Sequence, residues 1–100
     1  MIEIDNNKLR QTKLKIYALS NDKRQRIISS MYELKDAQKP FKIALKARLS
    51  QSVTQNHLNV LVNCGFVAKL SYYEGYRYLL NDMIIKEFLN KMQFEETYTV

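Results

Sequence analysis

The residues best suited to chemistry lie between Ser50 and Asn63, and that chemistry is recognition rather than reaction. Ser52, Gln55, Asn56, Asn59 and Asn63 recur at steps of three or four, so a helix would carry them on one face. Val53, Leu58, Leu61 and Val62 would supply its buried side. Asn and Gln can pair with two edge atoms of adenine, and Ser can bond either base type, so this uncharged face suits the major groove of a duplex. The alternative is an ordinary solvated polar face, although such faces more often carry Lys and Glu. Ser50, Gln51 and Thr54, at the start of the same helix, complete the candidate base- and backbone-contacting set.

Cations flank this segment. Lys42 and Lys46 are one helical turn apart, with Lys39 just before them, and can neutralise phosphates. Lys69 and Arg77 lie further on, with Tyr72, Tyr73 and Tyr76 between and beside them. Arg77 could reach phosphate or minor groove, or could be a solvated residue beside Glu74. The tyrosines read as packing groups, because a duplex offers no free base faces. The formal net charge is +6, and twelve of the sixteen Lys and Arg precede Gln51 while the ten acids divide evenly. From Ala37 to Tyr73 there is no carboxylate at all, so a polyanion would meet no local repulsion there.

Reactive constellations are missing. No Gly-rich phosphate loop, carboxylate pair or Ser-His-acid arrangement has useful spacing, so the chain is not expected to be an enzyme. His57 stands alone, and zinc needs three or four protein donors, so neither metal nor another cofactor is expected. Cys64 is the single cysteine and reads as a small apolar group at a helix end. Met1 to Asp5 lacks the order of a signal peptide, and no apolar run has the length of a membrane span. The expected setting is the cytoplasm, away from membranes.

The elements that must position these groups follow from period and punctuation. One domain over 1–100 is expected, mainly α with a small β-hairpin. A first helix covers about 8–19, and Ser20, Asn21 and Asp22 offer caps for a second that ends near Leu34. Pro40 suits the first turn of a third, which ends near Leu49. Ser50 caps the fourth, which runs to Cys64 and stops at Gly65. Phe66 to Tyr73 and Tyr76 to Leu80 read as strands joined by a two-residue turn at Glu74-Gly75. A last helix covers about 82–93, and 94–100 is expected to be a tail. The order α-α-α-α-β-β-α is a winged helix-turn-helix.

Residues Ala18-Leu19-Ser20-Asn21-Asp22 with Arg26-Ile27 resemble the helix-opening signature of the ArsR-type winged-helix repressors. Leu49-Ser50-Gln51-Ser52, His57-Leu58, Leu61 and Gly65-Phe66-Val67 resemble that family's recognition helix and its exit into the wing. The resemblance covers about 18–81 and implies a homodimer joined through the first and last helices. Leu9, Ile16 and Tyr17 would then meet Ile84, Ile85, Phe88, Leu89 and Met92, with Met83 adding apolar surface. The chain departs from the family in three ways. Its wing is a couple of residues shorter. Gln55-Asn56 replaces the usual Ser-Arg before the histidine, which separates its base preference from the family's. The metal-sensing Cys of the third helix and His of the last helix are absent. The expected function is a sequence-specific regulator of transcription that binds double-stranded DNA as a homodimeric repressor. The rival reading is a winged-helix module for protein partners, suggested by the apolar pair Phe41 and Leu45.

Overall fold

Three of the helices begin where a side-chain oxygen takes over an orphaned backbone bond. In the computed structural model the backbone is described for residues 5–98 and the side chains for 5–92. Asp5 accepts from the amides of Asn7 and Lys8, at 3.0 and 3.2 Å, and so starts α1 (Asn6–Ser20). Asn21 accepts from the Arg24 amide at 3.1 Å and starts α2 (Asp22–Leu34). Pro40 opens α3 (Pro40–Ala47), where its missing donor costs nothing. Ser50 accepts from the Val53 amide at 3.2 Å and starts α4 (Gln51–Asn63). Strands β1 (Val67–Tyr72) and β2 (Gly75–Leu80) precede α5 (Asp82–Tyr98).

The stops are equally specific. Gly65 has φ +83°, its amide donates to the Val62 carbonyl, and the Phe66 amide reaches back to Leu61, each at 3.0 Å. That pair of bonds is the Schellman closure, which needs a left-handed residue where Gly65 stands. It also turns Phe66 inward, where it is fully buried. The same closure ends α3: Arg48 donates to Leu45 at 3.2 Å and Leu49 to Ala44 at 3.0 Å. Arg48 takes the left-handed conformation, with φ 57°, in place of a glycine. Helix α3 therefore ends at Ala47, two residues before the expected Leu49, and the turn into α4 is short.

The hairpin pairs Val67 with Leu80 and closes at Tyr72 opposite Gly75. Its turn is thus Tyr73-Glu74, one residue earlier than Glu74-Gly75. Gly75, at φ +123°, belongs to β2, a backbone state that favours glycine. This register puts Val67 and Tyr78 into the core, and a one-residue slip would expose them. Gln38, between α2 and α3, adds a third, minimal strand: it exchanges two bonds with Tyr78, at 2.8 and 3.0 Å. The last helix also differs from expectation. It continues past Gln93 to Tyr98, because no Gly or Pro interrupts the run, so most of the expected tail is helical.

One core lies between α2, α3, α4 and the base of the wing. Ile27 and Met31 of α2, Ile43 and Ala47 of α3, Leu58 and Leu61 of α4, and Phe66, Val67 and Tyr78 fill it. Ala18 seals the α1 side and Ile85 the α5 side. Two expectations are corrected here. Ile85 packs into the core of its own chain and does not belong to an outward dimer face. Thr54 is wholly buried and is not a DNA contact. It falls on the same stripe as Leu58 and Leu61, four and seven residues on, so helical geometry turns it inward. Its hydroxyl finds no hydrogen-bond partner there. A buried orphan hydroxyl is destabilising, so Thr54→Val should stabilise the fold by about 1 kcal/mol. Urea unfolding checks this, and a loss of stability would show that the hydroxyl has a partner after all.

Candidate nucleic-acid interface

Helix α4 presents a polar, uncharged outer face. Gln51, Ser52, Asn56, Asn59 and Asn63 are exposed on it. Ser50 is exposed too, with its oxygen already engaged at the Val53 amide. Gln55, expected to read bases, is half-buried and already engaged in the free chain. Its Nε2 donates to Tyr78 Oη at 2.9 Å and to Asn59 Oδ1 at 3.1 Å, so both of its N–H donors are used. Gln55 ties α4 to the wing and fixes the Asn59 amide. The outward donors and acceptors that remain are those of Gln51, Ser52, Asn56, Asn59 and Asn63, with Ser52, Asn56 and Asn59 in the middle of the face.

The cations divide into engaged and available. Lys46 reaches Glu33 of α2 at 3.0 Å, so its charge is already matched in the free protein. Lys39 and Arg77 share Glu74 at the wing turn, at 3.1 and 3.6 Å. Glu74 is the single acid from Ala37 to Leu80, and its two cationic partners hold its carboxyl below the usual range. These pairs are largely exposed, and exposed pairs yield readily to a competing anion. Among the described residues Lys42 is exposed and enters no ion pair. On the wing, the Lys69 ammonium sits 4.1 Å above the Tyr76 ring, and the Arg77 guanidinium 5.1 Å from that of Tyr72. The wing tyrosines thus serve as platforms for its cations.

Two arginines of α2, neither of them a candidate from pattern alone, hold the frame. Arg24 is only 2 % exposed. Its Nε donates to the Ala18 carbonyl at 2.8 Å and its Nη2 to that of Tyr17 at 3.0 Å. Gln25 adds a bond to Leu19 at 2.8 Å. These are the carbonyls that the end of α1 leaves without helical partners. Arg26 does the same for α3, with its Nη2 bonded to the carbonyls of Ala47 and Arg48. Arg24 has a further partner, because its Nη1 lies 3.1 Å from Nδ1 of His57 on α4. A signal existed: a cation in the first turn of a helix opposes that helix's own dipole, so it serves another element.

The terminal helices are less covered than the rest. Leu9, Ile16 and Tyr17 of α1 and Met83, Ile84 and Leu89 of α5 are exposed. Phe88, expected on the same face, instead packs partly against the core, its ring 5.8 Å from that of Phe66. Met92 is half-buried beside the cleft between α1 and α5. On α3, Phe41 and Leu45 stand exposed, Leu45 at 72 %. Among the described residues, no three His, Cys, Asp or Glu side chains converge on a point that could hold a metal ion. None of the described helices is long and apolar enough to cross a membrane.

No protein-family model and no curated protein matches this chain. Solved structures do. An ArsR-like transcriptional regulator from Rhodococcus sp. RHA1 superposes with a TM-score of 0.77 at 18% identity, over 92% of this chain and 85% of that one. A homodimeric winged helix-turn-helix DNA-binding domain from Mycobacterium bovis, described as possibly ArsR-family, gives 0.72 at 16% identity, over 99% and 94%. The cadmium sensor CMTR from Mycobacterium tuberculosis gives 0.62 at 26% identity, over 79% and 80%. The chain has the winged-helix fold of the ArsR-type regulators.

Proposed function

We propose that this chain is a transcriptional regulator that binds double-stranded DNA as a homodimer and represses by occlusion. The observation that carries the reading is the exposed amide and hydroxyl face of α4, at Ser52, Asn56 and Asn59. It lies in the helix that follows a short turn from α3, the helix that enters the major groove in helix-turn-helix proteins. Lys42, together with Lys69, would meet phosphates, while Lys39, Lys46 and Arg77 would exchange a carboxylate partner for one. The structural relatives are regulators, and the Mycobacterium bovis domain is a homodimer, which favours the same reading here.

A second reading, a module for protein partners, is favoured by the exposed Phe41 and Leu45. Competition titrations separate the two. Lys42→Ala should weaken binding to all duplexes alike and lower the salt slope by about one unit. Asn56→Ala should lose about 1–3 kcal/mol against a selected duplex and leave a scrambled one unaffected. If scrambled DNA competes as well as selected DNA for the wild type, the module for protein partners replaces the regulator.

The dimer is proposed to form through the exposed parts of α1 and α5. Leu89→Asp is the cleaner probe, because Phe88 also supports its own core. Sedimentation should show a wild-type dimer at micromolar concentration and a Leu89→Asp monomer of unchanged helicity. A monomeric wild type would contradict this interface.

A further inference from the structure

Arg24 is buried, yet among the described residues no carboxylate pairs with it. A buried guanidinium needs its N–H groups satisfied, and here two other helices supply the acceptors. The last turn of α1 gives the Tyr17 and Ala18 carbonyls, and α4 gives the His57 ring. The Tyr17 ring also lies beneath the guanidinium, 4.6 Å from it. Arginine has no acceptor, so Nδ1 of His57 must be the acceptor and its proton must sit on Nε2. The bond therefore exists only while His57 is neutral.

We propose that Arg24 is a positioning residue: through the neutral His57 ring it sets the reading helix α4 against α1, and protonation of His57 releases that setting. The inference rests on the DNA-binding reading for its consequence. In a dimer built on α1, the angle between α1 and α4 fixes the spacing of the two reading helices, so specific binding depends on the contact. Asn56 precedes His57 directly, so a rotation of α4 about this bond moves a reading side chain.

The surroundings favour the neutral ring. Burial holds His57 below the ordinary histidine value, and the charges of Arg24 and Lys23 on α2 push the same way. The Tyr17 phenol faces Arg24 from α1, and α4 itself carries no charged residue. A histidine whose value is lowered on folding supports the fold fully above the ordinary value of 6.5 and loses that support as pH falls through the lowered value. His57 is the chain's single histidine, the one side chain here whose ordinary value lies between pH 5 and 8.

The test has one arm without DNA and one with it. In the free protein, ring nitrogen shifts should show Nδ1 unprotonated and Nε2 protonated at neutral pH. The amides of Tyr17, Ala18 and Arg24 should then titrate together with His57. His57→Gln keeps an acceptor oxygen without the titration and should abolish these pH-dependent shifts. In the second arm, wild-type discrimination between a pool-selected duplex and its scrambled version should fall roughly 3- to 30-fold on acidification. The His57→Gln protein should keep its discrimination across the same pH range, and Arg24→Lys should show reduced discrimination at every pH. If the α1 amides ignore the His57 titration, or if His57→Gln keeps the wild-type pH profile, the positioning role is overturned. Equal binding of selected and scrambled duplex at all pH values, with the amides still titrating together, would uphold the Arg24 link and remove the DNA reading instead.

Discussion

Helix α2 is the member on which the rest depends, because its N-terminal residues, Arg24 to Arg26, finish two other helices. Every helix leaves carbonyls without partners at its end, and in a small domain these ends lie close to the core. Arg24 and Gln25 satisfy the end of α1, and Arg26 satisfies the end of α3. Each cation also sits where a helix dipole is negative, which adds to the bond. Helix α2 touches α1, α3, α4 and β2, so its two arginines secure the angles between units that the core alone would hold loosely. The turn between α3 and α4 is short because Arg48 adopts a left-handed conformation and Arg26 grips the carbonyls on either side of it.

That frame leaves α4 with a division of labour along its length. Thr54, Leu58 and Leu61 bind it to the core, Gln55 ties it to the wing through Tyr78, and His57 ties it to Arg24. The remaining polar residues face outward without charge. The charged groups stand on neighbouring elements, α3 and the wing, and several are already paired with Glu33 or Glu74. Under the proposed function, uncharged readers on the helix and cations around it would separate discrimination from attraction. Attraction to phosphates is strongly salt-dependent, whereas hydrogen bonds to base edges are much less so. In that proposal Glu33 and Glu74 would hold down indiscriminate attraction by giving those cations a partner when no duplex is present.

Much of this was legible in the residues. The order of elements, the Ser50 cap, the Gly65 stop and the α3–α4 pair all follow from local rules, and local rules held there because no distant contact opposed them. Several differences have one cause, which is partners distant in sequence. The hairpin turn shifted to Tyr73-Glu74 because burial of Val67 and Tyr78 decides the register, not the attraction of glycine to a turn. The tie of Gln55 to Tyr78 is not visible in the spacing of α4, because the partner lies 23 residues away. The position of Arg24 against its own helix dipole marks it as serving another element, but which element appears only when α1 and α4 are brought against it. Thr54 was the exception: its spacing from Leu58 and Leu61 already pointed inward, and its hydroxyl drew it to the wrong face. The side that Ile85 takes is not legible in the sequence, because the apolar run of α5 is wide enough to cover both sides.

The central claim is that α4 reads base edges in a duplex and that two copies do so together. Selection from a pool of randomised duplexes by the wild-type protein tests both halves at once. The account predicts a two-fold-symmetric consensus whose half-site centres lie about one helical turn, roughly 10 base pairs, apart. Recovery of no consensus, with the selected pool binding no more tightly than the starting one, would contradict it.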